Sequence, residues 1–100
     1  MRPLTPREAA IYWVYILRSD RDPRLYTGVT SDLPRRLREH NAGKVRSTRA
    51  RRPLSLEYTE VYRTKNEALA RETYFKTPEG GALKQHLAAQ VKADDKLSAP

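Results

Sequence analysis

The chain of 100 residues contains no cysteine, one tryptophan, one phenylalanine and four glycines. Without cysteine it can form no disulfide, no thiolate metal site and no cysteine nucleophile, which fits a cytoplasmic protein. It has no run of about eighteen apolar residues, the length that a membrane-spanning helix needs. The first ten residues, MRPLTPREAA, lack the apolar stretch of a secretory signal. We therefore expect a cytoplasmic location.

Acidic residues are also scarce. Twelve Asp and Glu stand against twenty Lys and Arg, which gives a formal net charge of +8 and a pI near 10.1. A field of this sign attracts polyanions. Nucleic acid is the first candidate partner and an anionic membrane surface the second, but no basic amphipathic helix with large apolar anchors favours the membrane. A basic protein without such a partner stays open at this point.

Hydrophobic spacing predicts six elements in one domain of the α+β class, in the order β-β-α-β-α-α. Residues 1–10 are expected to form an N-terminal extension, 11–92 the domain and 93–100 a flexible tail. A small antiparallel sheet covered by helices follows from this order. The predicted strands span 11–19, 25–29 and 54–62, and the predicted helices span 32–41, 64–76 and 82–92.

Capping residues support these helix bounds. Ser31 or Asp32 can cap the first helix, and Thr64 with Glu67 forms a capping box at the start of the second. Pro78 is expected to stop the second helix.

The first helix carries charged side chains on its apolar face. Leu33 and Leu37 define the inner stripe, and Arg36 and His40 complete the helical spacing of that stripe. A plain interpretation is that Arg36 extends its head to water and His40 is a hydrogen-bonded residue at the edge of the core. The alternative is that both side chains face a site.

The outer face of this helix holds the neighbouring arginine. Arg35 and Glu39 fall outside the apolar stripe, where they can pair at i, i+4. The two adjacent arginines are therefore not equivalent.

The second helix repeats the anomaly, because Glu72 lies among Ala68, Leu69 and Phe75 on the predicted inner stripe. A charge in such a place is costly unless it is paired or binds a cation. An internal ion pair with Arg36 is one explanation, and a carboxylate directed at a metal ion is the other.

Two tyrosines lie in the predicted hairpin. Tyr15 shares its side of the strand with Trp13 and Leu17, and Tyr26 precedes Gly28, which suggests a bulge or the close approach of another group. Tyrosines in strands usually pack with a hydrogen-bonded tip. An inward Glu that holds Mg²⁺, an Arg that holds a phosphate and a Tyr that accepts a proton from water would together suffice for phosphodiester hydrolysis.

In this combination the sequence resembles the small single-domain branch of the GIY-YIG nuclease superfamily, over about residues 12–87. The resemblance depends on several short motifs at ordered spacings. They are Trp13-Val14-Tyr15, Tyr26-Thr27-Gly28, the helix pattern Asp32-Leu33-x-Arg35-Arg36-Leu37-x-x-His40-Asn41 and the segment EALARETYFK.

The resemblance implies a three-stranded antiparallel sheet flanked by helices and a site built from five residues. Tyr15 and Tyr26 would be the paired hydroxyls, with Tyr26 as the general base. Arg36 would bind the phosphate and stabilise the transition state, His40 would handle protons, and Glu72 would hold one divalent metal, Mg²⁺ or alternatively Mn²⁺.

The sequence departs from the family pattern at several places. Trp13, Val14 and Thr27 replace residues of the motifs that give the family its name, at positions that pack rather than react. Val29 stands where some repair-type members have lysine, and the late asparagine of longer members has no clear match. We expect no second domain for target recognition within these 100 residues.

A basic segment, Lys44–Arg52, is the candidate for contacts with the nucleic-acid backbone, because such contacts position a strand without reading its sequence. A mobile charged loop is the plain alternative. The residues expected to bind nucleic acid are Arg35, Lys44, Arg46, Arg49, Arg51 and Arg52.

Three functions remain open from the sequence. The first is a Mg²⁺-dependent endonuclease that acts on DNA with low sequence specificity, with a role in DNA repair. The second is a nucleic-acid-binding module of the same fold with little or no turnover. The third is a basic protein that binds RNA or ribosomes and keeps Glu72 and Arg36 as a structural ion pair.

Overall fold

The computed structural model describes residues 11–98, with side chains described as far as residue 90. The predicted α+β class and the element order are confirmed, while the predicted N-terminal extension lies outside the described residues. The division into one domain and two flanking segments stays a prediction. The strands are β1 (Tyr12–Ser19), β2 (Leu25–Thr30) and β3 (Leu54–Tyr62), and the helices are α1 (Leu33–Asn41), α2 (Lys65–Phe75) and α3 (Pro78–Ser98).

The three strands form one antiparallel sheet in the order β2-β1-β3, so β1 lies in the centre. Successive side chains of a strand point to opposite faces, and β1 therefore supplies both sides of the sheet. Val14 and Ile16 are fully buried on the face covered by α2 and α3. Tyr15 and Leu17 are buried on the other face, where Leu33 and Leu37 of α1 pack.

The apolar core on the α2 and α3 face is completed by Ala68, Phe75 and Ala88, each no more than 1% exposed. Leu69 does not join it, because its side chain is exposed. The prediction that placed Leu69 on the inner stripe of α2 was wrong. The buried stripe runs from Ala68 to Phe75, seven residues apart on one helix face, with Glu72 between them.

Both predicted helix starts have their capping bonds. The Asp32 carboxylate accepts a hydrogen bond from the Arg35 amide at 3.1 Å. The Thr64 hydroxyl accepts one from the Glu67 amide at 3.2 Å and donates to the Glu67 carboxylate at 2.8 Å. These bonds satisfy amides at the helix ends, which have no partner within the helix.

Helix α3 begins four residues earlier than predicted. Gly80 donates its amide to the Thr77 hydroxyl at 3.0 Å, and Pro78 takes the first helical position. A side chain at position 80 would collide with the Tyr74 carbonyl, so glycine lets α3 start directly against the end of α2. The helix continues to Ser98, and residues 93–98, expected in the tail, belong to it.

Gly28 marks a close approach rather than a bulge. It pairs with Tyr15 in an uninterrupted β1–β2 register, and a side chain there would overlap the Tyr15 ring. The irregularity of the sheet lies in β3, between the pairs Ile16–Tyr58 and Leu17–Leu56, where Glu57 is the extra residue. None of the helices within residues 11–98 is long and apolar enough to cross a membrane.

Candidate active site

The α1 face of the sheet contains a hydrogen-bonded chain of four side chains. The Tyr15 hydroxyl lies 2.9 Å from His40 Nε2, and His40 Nδ1 lies 2.7 Å from the Thr48 hydroxyl. Arg36 Nε donates to the Tyr15 hydroxyl at 3.4 Å. Tyr15, His40 and Thr48 are each at most 4% exposed. The chain Thr48–His40–Tyr15–Arg36 therefore leads from the interior to the surface.

Local structure explains why these side chains meet. Tyr15 projects from the central strand across Gly28, where the missing side chain leaves room for its ring. Arg36 and His40 are four residues apart on α1, so one helix face presents both of them to the Tyr15 hydroxyl. The sequence prediction that both face the sheet matches their position.

The two adjacent arginines differ in exposure as expected, but their ion pairs are not the ones predicted. The side chain of Arg35 is 61% exposed and that of Arg36 is 38% exposed. Arg35 lies 3.9 Å from Asp32, and Glu39 is bound by Arg36 at 3.2 Å. The predicted Arg35–Glu39 pair was therefore wrong. Arg36, three residues before Glu39, binds that carboxylate instead.

Burial and charge act in opposite directions on Tyr15. Burial raises the pKa of Tyr15, and this outweighs the hydrogen bond and the positive charge of Arg36, which lower it. The hydrogen bond with Tyr15 in turn raises the pKa of Arg36. The phenol is thus neutral at neutral pH, beside a guanidinium that would stabilise its anion.

Burial lowers the pKa of His40, and the charge of Arg36 lowers it further. His40 is therefore a neutral imidazole at pH 7. We assign the proton to Nδ1, which donates to the Thr48 hydroxyl, so that Nε2 accepts from Tyr15. In this arrangement Tyr15 has a proton acceptor on one side and a cation on the other.

Tyr26 lies farther from this chain. It occupies the neighbouring strand opposite Leu17, and its hydroxyl donates to the Asp22 carboxylate at 3.3 Å. Tyr15 and Tyr26 line the same cavity, of about 320 Å³. The structure therefore brings the two predicted tyrosines to one cavity but gives them different partners.

Glu72 approaches the site from α2. Its side chain is 20% exposed, and its described ion pair is a long one, 3.8 Å to Lys76. The negative charge of Glu72 raises the pKa of Tyr15, which places the carboxylate in its electrostatic neighbourhood. The internal Glu72–Arg36 pair that the sequence left open is not formed, since Arg36 binds Glu39.

Thr48 is a site residue that the sequence analysis missed. It lay within a segment interpreted only as a basic loop, although it is one of two hydroxyl residues there and is 1% exposed. A single hydroxyl between charged residues carries no periodic signal. Its role depends on a contact with His40, eight residues away, that only the folded chain creates.

The basic segment is partly held by the protein itself. Lys44, Arg46 and Arg49 are exposed, whereas Arg51 pairs with Asp22 at 3.2 Å and Arg52 Nε donates to the Arg49 carbonyl at 2.8 Å. A short 3-10 helix, Arg49–Arg51, interrupts the predicted loop.

The residues that flank this basic segment, Asn41 and Leu54, are joined by the Asn41 side chain. The Asn41 amide group donates to the Leu54 carbonyl at 3.0 Å and accepts from the Leu54 amide at 2.9 Å. The end of α1 is thereby tied to the first residue of β3.

Comparison with known proteins gives one consistent family. The model of the GIY-YIG catalytic domain matches residues 11–90. A UPF0213 protein of Bacillus licheniformis is 46% identical over 70 residues, which are 69% of this chain and 71% of that protein. A UPF0213 protein of Streptococcus agalactiae is 43% identical over 79 residues, which are 74% of this chain and 89% of that protein.

A solved structure agrees with these relatives. The solution NMR structure of a UPF0213 protein from Bacillus halodurans is similar over 90% of this chain and 99% of that one, with 32% identity and a TM-score of 0.56. The matched family model describes a nuclease-type catalytic domain, and this match implies a nucleic-acid substrate. Nucleases of this family generally use a divalent metal.

Proposed function

We propose that this chain, which belongs to the GIY-YIG family, is a metal-dependent endonuclease. It would hydrolyse phosphodiester bonds in DNA. One observation carries the proposal: Arg36, Tyr15 and His40 form a hydrogen-bonded chain that ends at the surface, within the electrostatic reach of Glu72. These residues would supply a guanidinium for a phosphate, a hydroxyl that can exchange a proton and a carboxylate for a cation.

Glu72 fits the role of a single metal ligand. Within the described side chains no group of three or more His, Asp or Glu could hold a metal alone. The ion would therefore depend on water and phosphate oxygens for its other ligands, as Mg²⁺ commonly does, and Mn²⁺ could replace it. When bound, a divalent ion at Glu72 would stabilise negative charge on the leaving oxygen.

Arg36 binds the scissile phosphate in this proposal. Its described contacts use Nε and Nη1, to Tyr15 and Glu39, and its side chain is more than a third exposed. A planar guanidinium matches two phosphate oxygens at once. The negative charge that gathers on the phosphoryl oxygens during hydrolysis would strengthen this contact.

Tyr15 transfers the proton in this proposal, in place of the Tyr26 that the family resemblance suggested. The neutral His40 offers Nε2 to the Tyr15 hydroxyl, and Arg36 would stabilise the phenolate. The Tyr26 hydroxyl instead donates to the Asp22 carboxylate at 3.3 Å, away from the hydrogen-bonded chain of Tyr15, His40 and Arg36. We assign Tyr26 to positioning the strand or the attacking water.

The exposed basic residues would hold the DNA backbone beside the site. Lys44, Arg46 and Arg49 project from the segment that also provides Thr48, so a strand bound there would lie close to the proton-transfer chain. Arg35 lines a cavity of about 280 Å³ together with Arg36. Arg51 and Arg52 contribute charge while they hold the segment in place. These contacts would give binding with little sequence preference.

The test is cleavage of end-labelled single-stranded, duplex and branched DNA with Mg²⁺, with Mn²⁺ or with EDTA. Wild-type protein should release products only with metal, and Glu72→Ala should release none at the same concentration. Glu79→Ala, which removes an exposed carboxylate at the start of α3, is the matched control and should cleave normally. Equal cleavage by Glu72→Ala would refute the metal assignment. DNA binding without products from any substrate would favour the binding module instead.

A further inference from the structure

Lys84 occupies an unusual position on α3. It lies three residues before Leu87 and four before Ala88, both of which contact the apolar core, so Lys84 falls on the inward stripe of the helix. Its side chain is half-buried, and its ammonium donates to the Leu25 carbonyl at a long 3.5 Å. This is the same departure from an apolar pattern that singled out Arg36 and Glu72.

The charge of Lys84 is poorly compensated. Burial lowers the pKa of Lys84, and the nearby charge of Lys76 lowers it further. Among the side chains described up to residue 90, no carboxylate lies within ion-pair distance of Lys84. Lys76 itself is 63% exposed and only loosely paired with Glu72. Two cations held near each other, one of them half-buried, favour a bound anion between them.

Both lysines line one cavity. It has a volume of about 320 Å³, follows the edge of β2, and is also lined by Tyr15, Tyr26 and His40. Thr27, another lining residue, carries a buried hydroxyl oxygen for which the described residues offer no hydrogen-bond partner. The cavity is therefore cationic and polar, and it is large enough for a phosphate group with part of a nucleoside.

Tyr15 lines the lysine cavity and also accepts a hydrogen bond from Arg36. Arg36 lines a second cavity with Arg35 and Lys65, which does not include Tyr15 in its lining, while Tyr15 lines the lysine cavity. A strand that places one phosphate at Arg36 and continues past Tyr15 would bring a neighbouring phosphate to the lysines. Regularly spaced charges along one strand match this arrangement.

We propose that Lys84 and Lys76 form a second phosphate subsite, which binds the phosphodiester adjacent to the one held by Arg36. This inference rests on the proposed function of the same site. The second contact would fix the direction of the strand across Tyr15, because one phosphate contact alone leaves the strand free to turn. Lys84 is accordingly a substrate-positioning residue, and its effect lies in binding.

The test compares two short DNA probes in EDTA, where no cleavage occurs. The thymidine dinucleotide has one internal phosphodiester and the thymidine trinucleotide has two. Their dissociation constants are measured from the shifts of backbone amide NMR signals, including those of Leu25 and Thr27. We expect wild-type protein to bind the trinucleotide several-fold more tightly than the dinucleotide. Lys84→Gln should bind both with nearly equal affinity, and Lys84→Arg should retain the difference.

Arg63→Gln is the matched control, since it also removes one positive charge. Arg63 is exposed in the turn before α2 and lines neither of the two cavities. It should keep the wild-type affinity ratio. For a longer single strand, Lys84→Gln should also reduce the slope of log affinity against log salt by about 0.7.

Each outcome has a distinct meaning. An unchanged affinity ratio in folded Lys84→Gln, with amide signals as well dispersed as in wild type, overturns the subsite. If wild-type protein releases no products with any metal but the ratio collapses in Lys84→Gln, the nuclease proposal fails and the subsite stands. If cleavage depends on Glu72 but the ratio of trinucleotide to dinucleotide affinity is the same in Lys84→Gln as in wild type, only the subsite fails.

Discussion

The two faces of the sheet each contain a network of tyrosines and charged side chains, but the networks are built differently. On the α2 and α3 face, both oxygens of Glu60 are occupied. Arg71 donates to them at 2.9 and 3.0 Å, and Tyr58 and Tyr62 each donate at 2.7 Å. The Arg71 guanidinium also lies 4.5 Å from the centre of the Phe75 ring. Every strong acceptor in this network has its donor.

The network on the α1 face is a chain that runs from a buried residue to a partly exposed one. It starts at the buried Thr48 and passes through His40 and Tyr15 to Arg36, which is partly exposed. Burial raises the pKa of Tyr15 and also raises that of Tyr58, to about 12. Tyr15 donates to a neutral base, whereas Tyr58 donates to a carboxylate that Arg71 already neutralises. A closed network stabilises the fold, and an open one can exchange protons and bind substrate.

Tyrosine substitutions should separate the two networks most clearly. We expect Tyr15→Phe to reduce DNA cleavage on the order of 100-fold or more, because it removes the hydroxyl between His40 and Arg36. Tyr58→Phe removes a hydroxyl of the same kind from the closed network and should leave the rate within about twofold, at a cost of about 1 kcal/mol of stability. Single-turnover cleavage with matched chemical denaturation would measure both. A normal rate in Tyr15→Phe would eliminate the proton-transfer role.

Loss of Arg71 should lower the stability of the protein, in contrast to the loss of cleavage expected for Tyr15→Phe. Arg71→Ala leaves the Glu60 carboxylate without its cation, and we expect the free energy of unfolding to fall by roughly 2 kcal/mol, less than for a fully buried pair because Arg71 is 27% exposed. Arg63→Ala, at an exposed position, should change it by no more than about 0.5 kcal/mol. Urea unfolding gives the values. A stability equal to wild type would show that Glu60 is satisfied without Arg71.

The two networks should also respond to acid in different pH ranges. The pKa of His40 is lowered from 6.5, so the unfolded chain takes up this proton first and stability falls as pH drops below about 6.5. Burial alone would raise the pKa of Glu60, but the hydrogen bonds from Arg71 and the two tyrosines outweigh it and the pKa is lowered. Its contribution is present above about 4.5 and is lost as pH falls through the lowered value.

A single titrating group changes the free energy of unfolding by at most about 1.4 kcal/mol per pH unit. The pH dependence is therefore the smallest effect, after the rate loss in Tyr15→Phe and the stability loss in Arg71→Ala. Denaturation between pH 7 and 5 should show a slope in wild type that His40→Gln removes. His86→Gln, at the other and exposed histidine, should retain the slope. If His40→Gln keeps the wild-type slope, His40 is not the group responsible.

Patterns that are local in the sequence predicted the fold well. The capping box at Thr64 and the break at Pro78 depend on residues within a few positions, and each appears in the structure. The early start of α3 had a local signal too, since Thr77 and Pro78 are residues typical of a cap and a first helical position. The contact that requires glycine at position 80, with the backbone of α2 at Tyr74, comes from tertiary packing.

The candidate site was predictable only in part. Helical spacing correctly turned Arg36 and His40 toward the sheet, because spacing alone determines which face of a helix a residue occupies. Spacing says nothing about partners. The contacts Tyr15–His40, His40–Thr48 and Arg36–Glu39 depend on how segments pack and on which of several carboxylates an arginine reaches.

The Asn41 side chain has a consequence for the kinetics of binding. By bonding both backbone groups of Leu54, it closes the segment between them into a loop of fixed ends before any nucleic acid arrives. A loop that is already ordered loses little conformational entropy when it contacts a ligand. Encounter with a strand would then be governed by diffusion and long-range attraction rather than by a slow rearrangement of the loop. Association without an ordering step in the loop would follow from this one side chain.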